Sequence, residues 1–410
     1  MTDYAQYFDN NATTPVSVVA RDAWLRATAE HWQNPSSLYR GAGMTRRLLE
    51  EARGELADYF DEEECSVVFT SGATEANNAV MEYAARVRAT GGLVVISAVE
   101  HPSVREAAIK SFGYDRVREL AVDDRGLVGL SDLQQMLEKE EVALVSVMAA
   151  NNETGVIQPW RQIAGLCRKQ GVLYHCDAAQ WIGKMELQDL GGCDFVSGSG
   201  HKFGGPKGVG FLCLGATVEE GFRSQVGGPQ EGGRRAGTED YPGVAAMMAA
   251  LRERQAEWSV ERSEQRLQDR EAFERLMVES LPGVQVVAQD AGRLWNTVML
   301  ILPAAGPKNL KWLIRLDRLG FAVSTGSACS AGKGNPSHVM QAMGLDFDQM
   351  SRVLRISGGW ETREGDWMAL ADALGRVWED LKSGGRMGNR RQEFLTTDST
   401  AEFSETAGEK

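Results

Sequence analysis

From about residue 15 to residue 250 the chain alternates short apolar runs with longer amphipathic stretches. The runs at 67–70, 93–98, 143–149, 172–177, 195–197 and 209–214 have the length and apolar content of buried strands. The stretches 76–88, 102–112, 131–139 and 160–170 between them carry helical spacing. Such alternation predicts an α/β fold with a mostly parallel sheet covered on both faces. Ligands on sheets of this kind bind at the carboxyl ends of the strands, so the residues just after each run are where chemistry is expected. A charged, helix-rich connector follows over 253–279. Beyond it, strands at 284–288, 297–302 and 353–357 with helices at 308–319 and 364–382 predict a smaller α+β unit. The stretch 383–410 is rich in Gly, Ser, Thr and Glu, with too few apolar residues to offset its ordering entropy, and is expected to be a disordered tail.

Composition narrows the partners. The chain has 410 residues, 43% of them hydrophobic and 25% charged, which fits a globular protein of two or three domains. Its 45 glycines show no collagen-like period and point to many tight turns. A net charge of −13 repels phosphate polymers and anionic lipid, so neither nucleic acid nor a membrane is expected as a partner. The longest apolar runs, 142–150 and 244–251, fall far short of the ~20 residues that cross a bilayer. Asp3 and Asp9 precede the first basic residue, Arg21, which is unlike a secretory leader. The six cysteines are scattered with no C-x-x-C pair, as expected for reduced thiols in the cytoplasm. No residue cluster predicts a metal site.

Three signals carry chemistry. Ser71-Gly72-Ala73-Thr74-Glu75 lies between a strand and a helix, which suits one phosphate group, although Ser or Thr there also serves as an ordinary cap. Asp177 ends the run 172–177, where a carboxylate needs a cationic partner or a capping role. Lys202 sits in Ser197-Gly198-Ser199-Gly200-His201-Lys202-Phe203-Gly204-Gly205, among small residues that let a planar ligand approach the backbone. Alone, it reads more readily as a solvated lysine on a glycine loop. Together the three match pyridoxal 5'-phosphate: an anchor for the phosphate, an acid for the pyridine nitrogen and an amine for the aldehyde. His101, after the run 93–98, is placed to cover the ring face. No G-x-G-x-x-G or complete Walker A motif occurs, so dinucleotide and P-loop readings fail on spacing.

At this point the chain resembles the cysteine desulfurases of the class V aminotransferase family, the NifS/IscS-like group of fold-type I pyridoxal-phosphate enzymes. The matching segments are 8–15, 34–37, 69–78, 100–104, 151–156, 175–180, 197–210, 227–239, 324–332 and 354–357, in order over nearly the whole chain. The resemblance implies that Lys202 holds the cofactor and moves protons, that His101 stacks on the ring and assists, and that Asp177 pairs with the ring nitrogen. It implies that Gln180 donates to the phenolic oxygen and that Thr74, Ser199 and His201 hold the phosphate. Thr238 would reach the phosphate site of a neighbouring subunit, which implies a homodimer. Asn152 and Arg355, with Asn34 helping, would hold the substrate carboxylate. Cys329, in Ser327-Ala328-Cys329-Ser330-Ala331-Gly332, would be the nucleophile that takes the sulfur.

The implied reaction converts L-cysteine to L-alanine and leaves a persulfide on Cys329 for an acceptor protein or thiol, as in iron–sulfur cluster assembly or thiolation. The implied organisation is a large cofactor domain over 15–255 and a small domain from 1–14 and 256–382. Two positions depart from the family pattern: Tyr39 stands where many relatives have His, and Ser357-Gly358-Gly359-Trp360 replaces an S-L-G-R run. Another class V enzyme, such as an aminotransferase or a selenocysteine lyase, and a non-catalytic scaffold are the rival readings. The cysteine loop argues against the first, and the intact Lys202, Asp177 and His101 argue against the second.

Overall fold

The computed structural model describes residues 6–60, 66–87, 91–188, 190–218, 221–326 and 337–383. Seven strands build the larger sheet: β1 (Ser66–Thr70), β2 (Leu93–Ser97), β3 (Val117–Leu120), β4 (Val142–Ser146), β5 (Leu173–Asp177), β6 (Phe195–Ser199) and β7 (Gly210–Leu214). Their order is β1-β7-β6-β5-β4-β2-β3. β7 runs antiparallel to both its neighbours and every other pairing is parallel. Strands buried on both faces read as continuous apolar runs, which is why these segments stand out in the sequence. Alternate side chains feed the two faces. Val67, Phe69, Val95, Val145, Cys176, Val196 and Phe211 share one core with the helices Trp160–Gln170 and Tyr241–Glu257. Val68, Val94, Ile96, Leu144, Phe195 and Leu212 share the other with the helices Ala73–Val87 and Pro102–Phe112.

The smaller sheet is antiparallel, with β8 (Gln285–Val286), β9 (Thr297–Ile301) and β10 (Val353–Ser357) in the order β10-β9-β8. Its core holds Val298, Leu300, Leu354, Ile356 and Trp367, and Phe8 from the start of the chain joins it. The Phe8 ring meets Trp367 edge-on at 5.0 Å. Backbone bonds from Phe8 N to Ala322 O and from Ser357 N to Phe8 O, each 2.8 Å, tie the N-terminal segment to this sheet.

Among the elements that the pattern missed are two helices and a strand of the larger unit. The helices Val18–Glu30 and Arg40–Asp58 precede the first strand. In Val18–Glu30 only Ala20 and Ala27 are buried, so small residues make the packing and no large apolar stripe marks it. Strand β3 is an edge strand with the sequence Val-Arg-Glu-Leu, too polar and short to read as a strand. The connector expected at 253–279 is two helices, Tyr241–Glu257 and Val260–Ser280, broken where the Ser259 hydroxyl accepts from Arg262 N. The run at 143–149 stops as a strand at Ser146, and Met148 and Ala150 turn into the cavity described next.

Candidate active site

The segments leaving β1, β2, β4, β5 and β6 converge on one cavity of about 410 Å³. Lys202, His101, Asp177, Gln180, Thr74, Ser199, His201, Asn152 and Arg355 all line it. Residues up to 344 positions apart in sequence meet here: parallel strands deliver their carboxyl ends to one edge, and the N-terminal segment and the smaller sheet add Asn11 and Arg355.

At one part of the cavity the helix Ala73–Val87 begins directly after Gly72. The first amides of a helix have no intrahelical acceptor, and the helix dipole adds positive potential there. Gly72 has φ +149, and a Cβ on it would stand 3.3 Å from Ser199 Oγ. Thr74, Ser199 and His201 line the same cavity as these amides. Glu75 also lines it, and burial works against its charge. Its bonds to Arg235 (2.9 Å) and Ser71 N (2.7 Å) nevertheless hold its pKa below the usual value. Burial pushes the His201 pKa down to about 4, with Lys202 and Lys207 adding to the effect, so its ring is neutral at pH 7.

Asp177 is buried at the end of β5. Its Oδ1 accepts from Ala179 N (3.0 Å) and its Oδ2 from Asn77 Nδ2 (2.8 Å). Asn77 is fully buried and also donates to Ser103 Oγ (2.9 Å), while its Oδ1 accepts from Ser197 Oγ (2.5 Å). Ser103 Oγ lies 2.7 Å from His101 Nδ1, and the same nitrogen accepts from Ser103 N (3.1 Å). Nδ1 is therefore an acceptor and the ring proton of neutral His101 sits on Nε2. Burial pulls the His101 pKa down; Asp177 opposes this, and Lys202 and His338 reinforce it. Ser197 Oγ leads on to His175 Nε2 (3.1 Å), and His175 Nδ1 to Ser146 Oγ (2.8 Å). One buried chain of hydrogen bonds thus joins the imidazole of His101, the carboxylate of Asp177 and His175.

Lys202 donates to the backbone carbonyls of Asn11 (2.5 Å) and Ala12 (3.0 Å). Asn11 O also accepts from Gln180 Nε2 (3.0 Å). Arg355, 1% exposed, comes from β10 of the smaller sheet, so the cavity lies where the two sheets meet. It bonds Asp9 Oδ1 (2.7 Å) and Asn152 O (3.2 Å). These groups fit pyridoxal phosphate: helix amides and hydroxyls for a phosphate, a hydrogen-bonded carboxylate for the ring nitrogen, and an amine that reaches the same cavity. The Cβ-less cradle at Gly72 is the observation that favours the phosphate. Arg355 offers a planar fork suited to a carboxylate.

Two buried carboxyls flank the site. Glu100 Oε1 accepts from Ser97 Oγ and Met148 N, each at 2.8 Å, while Oε2 is buried with no partner among the described residues. Burial, and the charge of Asp177 behind it, pushes its pKa up to about 8, so at neutral pH it is a neutral acid. Burial likewise raises the pKa of Glu153, whose Oε2 accepts from Ser337 Oγ (2.7 Å).

Two expected residues, Asn34 and Thr238, are not among those lining the cavity, and a third falls outside the described residues. Asn34 is exposed and its Oδ1 accepts from Ser36 N (2.9 Å), so its side chain serves its own turn. Thr238 is exposed in the loop that also carries Arg235. Cys329 lies outside the described residues. Sequence reading overlooked Asn77, Ser103, Asn11, Asp9, Glu100 and Lys184. Asn77 and Ser103 lie within the matching segments 69–78 and 100–104, yet nothing in one dimension marks a buried amide as a bridge. Trp360, a departure from the family pattern, donates from Nε1 to Gly183 O (2.9 Å) and packs against Trp295 at 6.3 Å. Among the described residues no group of three or more His, Cys, Asp or Glu could hold a metal ion, and no helix is long and apolar enough to cross a membrane.

Sheet order, lysine, strand-end acid and helix cradle together define a fold-type I pyridoxal-phosphate enzyme. The chain belongs to the aminotransferase class V family, whose model matches residues 6–366. It is similar to cysteine desulfurase 2 of Trichormus variabilis, with 34% identity over 393 residues, covering 95% of this chain and 97% of the relative. Cysteine desulfurase IscS of Dictyoglomus turgidum is 33% identical over 385 residues, covering 92% and 95%. Among solved structures, a NifS-like protein from Rickettsia africae superposes with TM-score 0.80 at 27% identity, covering 91% of this chain and 99% of its own.

Proposed function

We propose that this chain is a cysteine desulfurase that uses pyridoxal 5'-phosphate to convert L-cysteine to L-alanine, with the sulfur passing to Cys329. The observation that carries the reading is the convergence of Lys202, Asp177, His101, the Gly72–Glu75 cradle and Arg355 on one cavity. Kinship with relatives named cysteine desulfurase, and with a solved structure described as SspA in complex with cysteine, supports L-cysteine as the substrate.

The bound cofactor supplies an electron sink for the pair released at the substrate's alpha carbon. Asp177, fixed by Asn77, holds the proton on the ring nitrogen. Arg355 and Asn152 hold the substrate carboxylate, and Asp9 keeps the guanidinium in place. Lys202 takes the proton from the alpha carbon and returns it. His101, neutral and with its proton on Nε2, covers the ring and serves as acid and base. Gln180 donates to the phenolic oxygen, and Thr74, Ser199 and His201 join the helix amides on the phosphate. The Cys329 thiolate attacks the substrate sulfur: the carbon–sulfur bond breaks, a sulfur–sulfur bond forms, and the carbon takes up a proton to give alanine. No external oxidant is needed, because the carbon is reduced as the sulfur is oxidised to the sulfane level.

We further infer a homodimer in which Thr238 serves the neighbouring subunit's phosphate site, and a cytoplasmic enzyme that hands its persulfide to an acceptor protein or thiol. The division into a large unit over 15–255 and a small one from 1–14 and 256–382 is supported by Phe8, which packs with the smaller sheet. The test is alanine and sulfide release from L-cysteine by cofactor-loaded protein with a thiol reductant, beside Cys329→Ala. Both products from the wild type and almost no sulfide from the variant are expected. Amino transfer to a keto acid without a sulfur product would favour an aminotransferase instead.

A further inference from the structure

Lys184 is a buried lysine that the reaction outlined above does not use. It is 2% exposed, and among the described residues it makes no ion pair. Its Nζ is surrounded by oxygen acceptors: Gln180 Oε1 at 2.7 Å, Gln180 O at 3.2 Å and Asn11 Oδ1 at 3.5 Å. Three acceptors match the three N–H donors of an ammonium group. Burial pulls its pKa well below the usual lysine value, and the like charges of Lys202 and Arg355 act in the same direction. A methionine would fill the same volume without that penalty, so the lysine is retained against its own solvation.

The contact also has a direction. A side-chain amide can be turned either way, and the choice decides whether Gln180 offers a donor or an acceptor to the cavity it lines. Lys184 occupies Oε1, while Asn11 O takes one hydrogen of Nε2 (3.0 Å), leaving the second hydrogen of Nε2 to spare. Lys184 itself is held from outside: Trp295 Nε1 donates to its carbonyl (3.0 Å) and Trp360 Nε1 to that of Gly183 (2.9 Å). Asn11 carries the same set further, because its carbonyl also holds Lys202 Nζ (2.5 Å).

We propose that Lys184 is a positioning residue: by binding Gln180 Oε1 it fixes the amide with its N–H side toward the cavity, where Gln180 donates to the phenolic oxygen of the cofactor. The inference rests on the pyridoxal-phosphate reading of the site. A merely structural lysine would brace the turn and the N-terminal segment without affecting the electronic state of the bound cofactor.

The test is a pH titration of the visible absorption band in cofactor-loaded wild type, Lys184→Met, Gln180→Met and the double variant. Lys184→Met is expected to move the midpoint by about half a pH unit or more, in the same direction and to the same extent as Gln180→Met. The double variant is expected to move it no further than either single one. An unmoved midpoint in folded Lys184→Met, or shifts that add in the double variant, overturns the proposal while the cofactor reading stands. A wild type that gains no visible band on loading with pyridoxal phosphate overturns the cofactor reading and this proposal with it. Should Lys184→Met not fold, Lys184→Gln reads the same contact, because its shorter side chain cannot reach Gln180 Oε1; a wild-type midpoint there overturns the proposal.

Discussion

Asn77 shows how much one side chain carries at the residue scale. It ties Asp177, Ser103 and Ser197 together inside the protein, where each bond it loses leaves a partner unsatisfied. Asn77→Ala is expected to cost about 2–4 kcal/mol in urea unfolding and to weaken cofactor binding at least tenfold in an absorbance titration. Asn77→Asp would set a second carboxylate beside Asp177 and is expected to bind cofactor worse still. Glu100 gives a prediction about pH. Its pKa is raised to about 8 in the folded state, so the folded protein holds a proton that the unfolded chain gives up above about 4.5. That contribution is complete at low pH and is lost as pH rises toward 8 and beyond. Glu100→Gln cannot ionise, so relative to wild type its stability is expected to improve by a few kcal/mol between pH 5 and pH 8.5, measured by urea unfolding at each pH. A constant difference across that range would show that Glu100 does not titrate there.

At the scale of elements, the strand-to-helix turn at Gly72 and the turn at Gly183 set the geometry of the cavity. Gly72 at φ +149 lets the helix Ala73–Val87 open with its amides toward the cavity, and a methyl group there would press on Ser199 Oγ. Gly72→Ala is expected to lower cofactor affinity tenfold or more and to cost about 1–3 kcal/mol of stability, read by absorbance titration and thermal unfolding. Gly183 at φ +77 has no room for a side chain, since a Cβ would lie 2.5 Å from Phe203 Cβ. That turn carries Lys184 to Gln180 and offers its carbonyl to Trp360. Trp360→Phe keeps the packing with Trp295 but loses the bond to Gly183 O, so a loss of about 1 kcal/mol in stability is expected from urea unfolding. Trp360 was legible in the sequence only as a missing charge; its packing gives it a bracing role.

At the scale of the whole molecule, one chain leaves a conspicuous apolar surface. Leu38 is 97% exposed and Trp32 68%, and Val18, Trp24 and Leu25 on the first helix are exposed as well. Surfaces of this kind are usually covered in solution. Sedimentation velocity is expected to give twice the 44.8 kDa chain mass, and Leu25→Asp with Trp32→Asp to shift the protein toward monomer. The exposure also explains why this helix escaped sequence reading. Its large apolar residues face away from its own core, and its packing against Tyr241–Glu257 uses alanines.

The strands were legible because burial on both faces leaves little choice of residue: runs such as Leu-Val-Val-Ile-Ser in β2 have no polar face to hide them. The helix Pro102–Phe112 was legible end to end, with Pro at its start and Gly113 at its close. Asp177 announced itself by ending a strand and Lys202, His101 and Thr74 by standing just past one, and the ordered motifs around them fixed the family. What one dimension cannot carry is which polar side chains meet. Asn11 and Lys184 are 173 positions apart, Asn77 and Asp177 100, and Asp9 and Arg355 346. Those pairings depend on the order of the strands and on the N-terminal segment crossing to the smaller sheet. The sequence by itself determined the elements and the reacting groups, because local spacing and solvation act on each residue where it stands. The tertiary structure decided how those groups are turned, tied and protonated, because hydrogen bonds and burial act between residues that only the fold brings together.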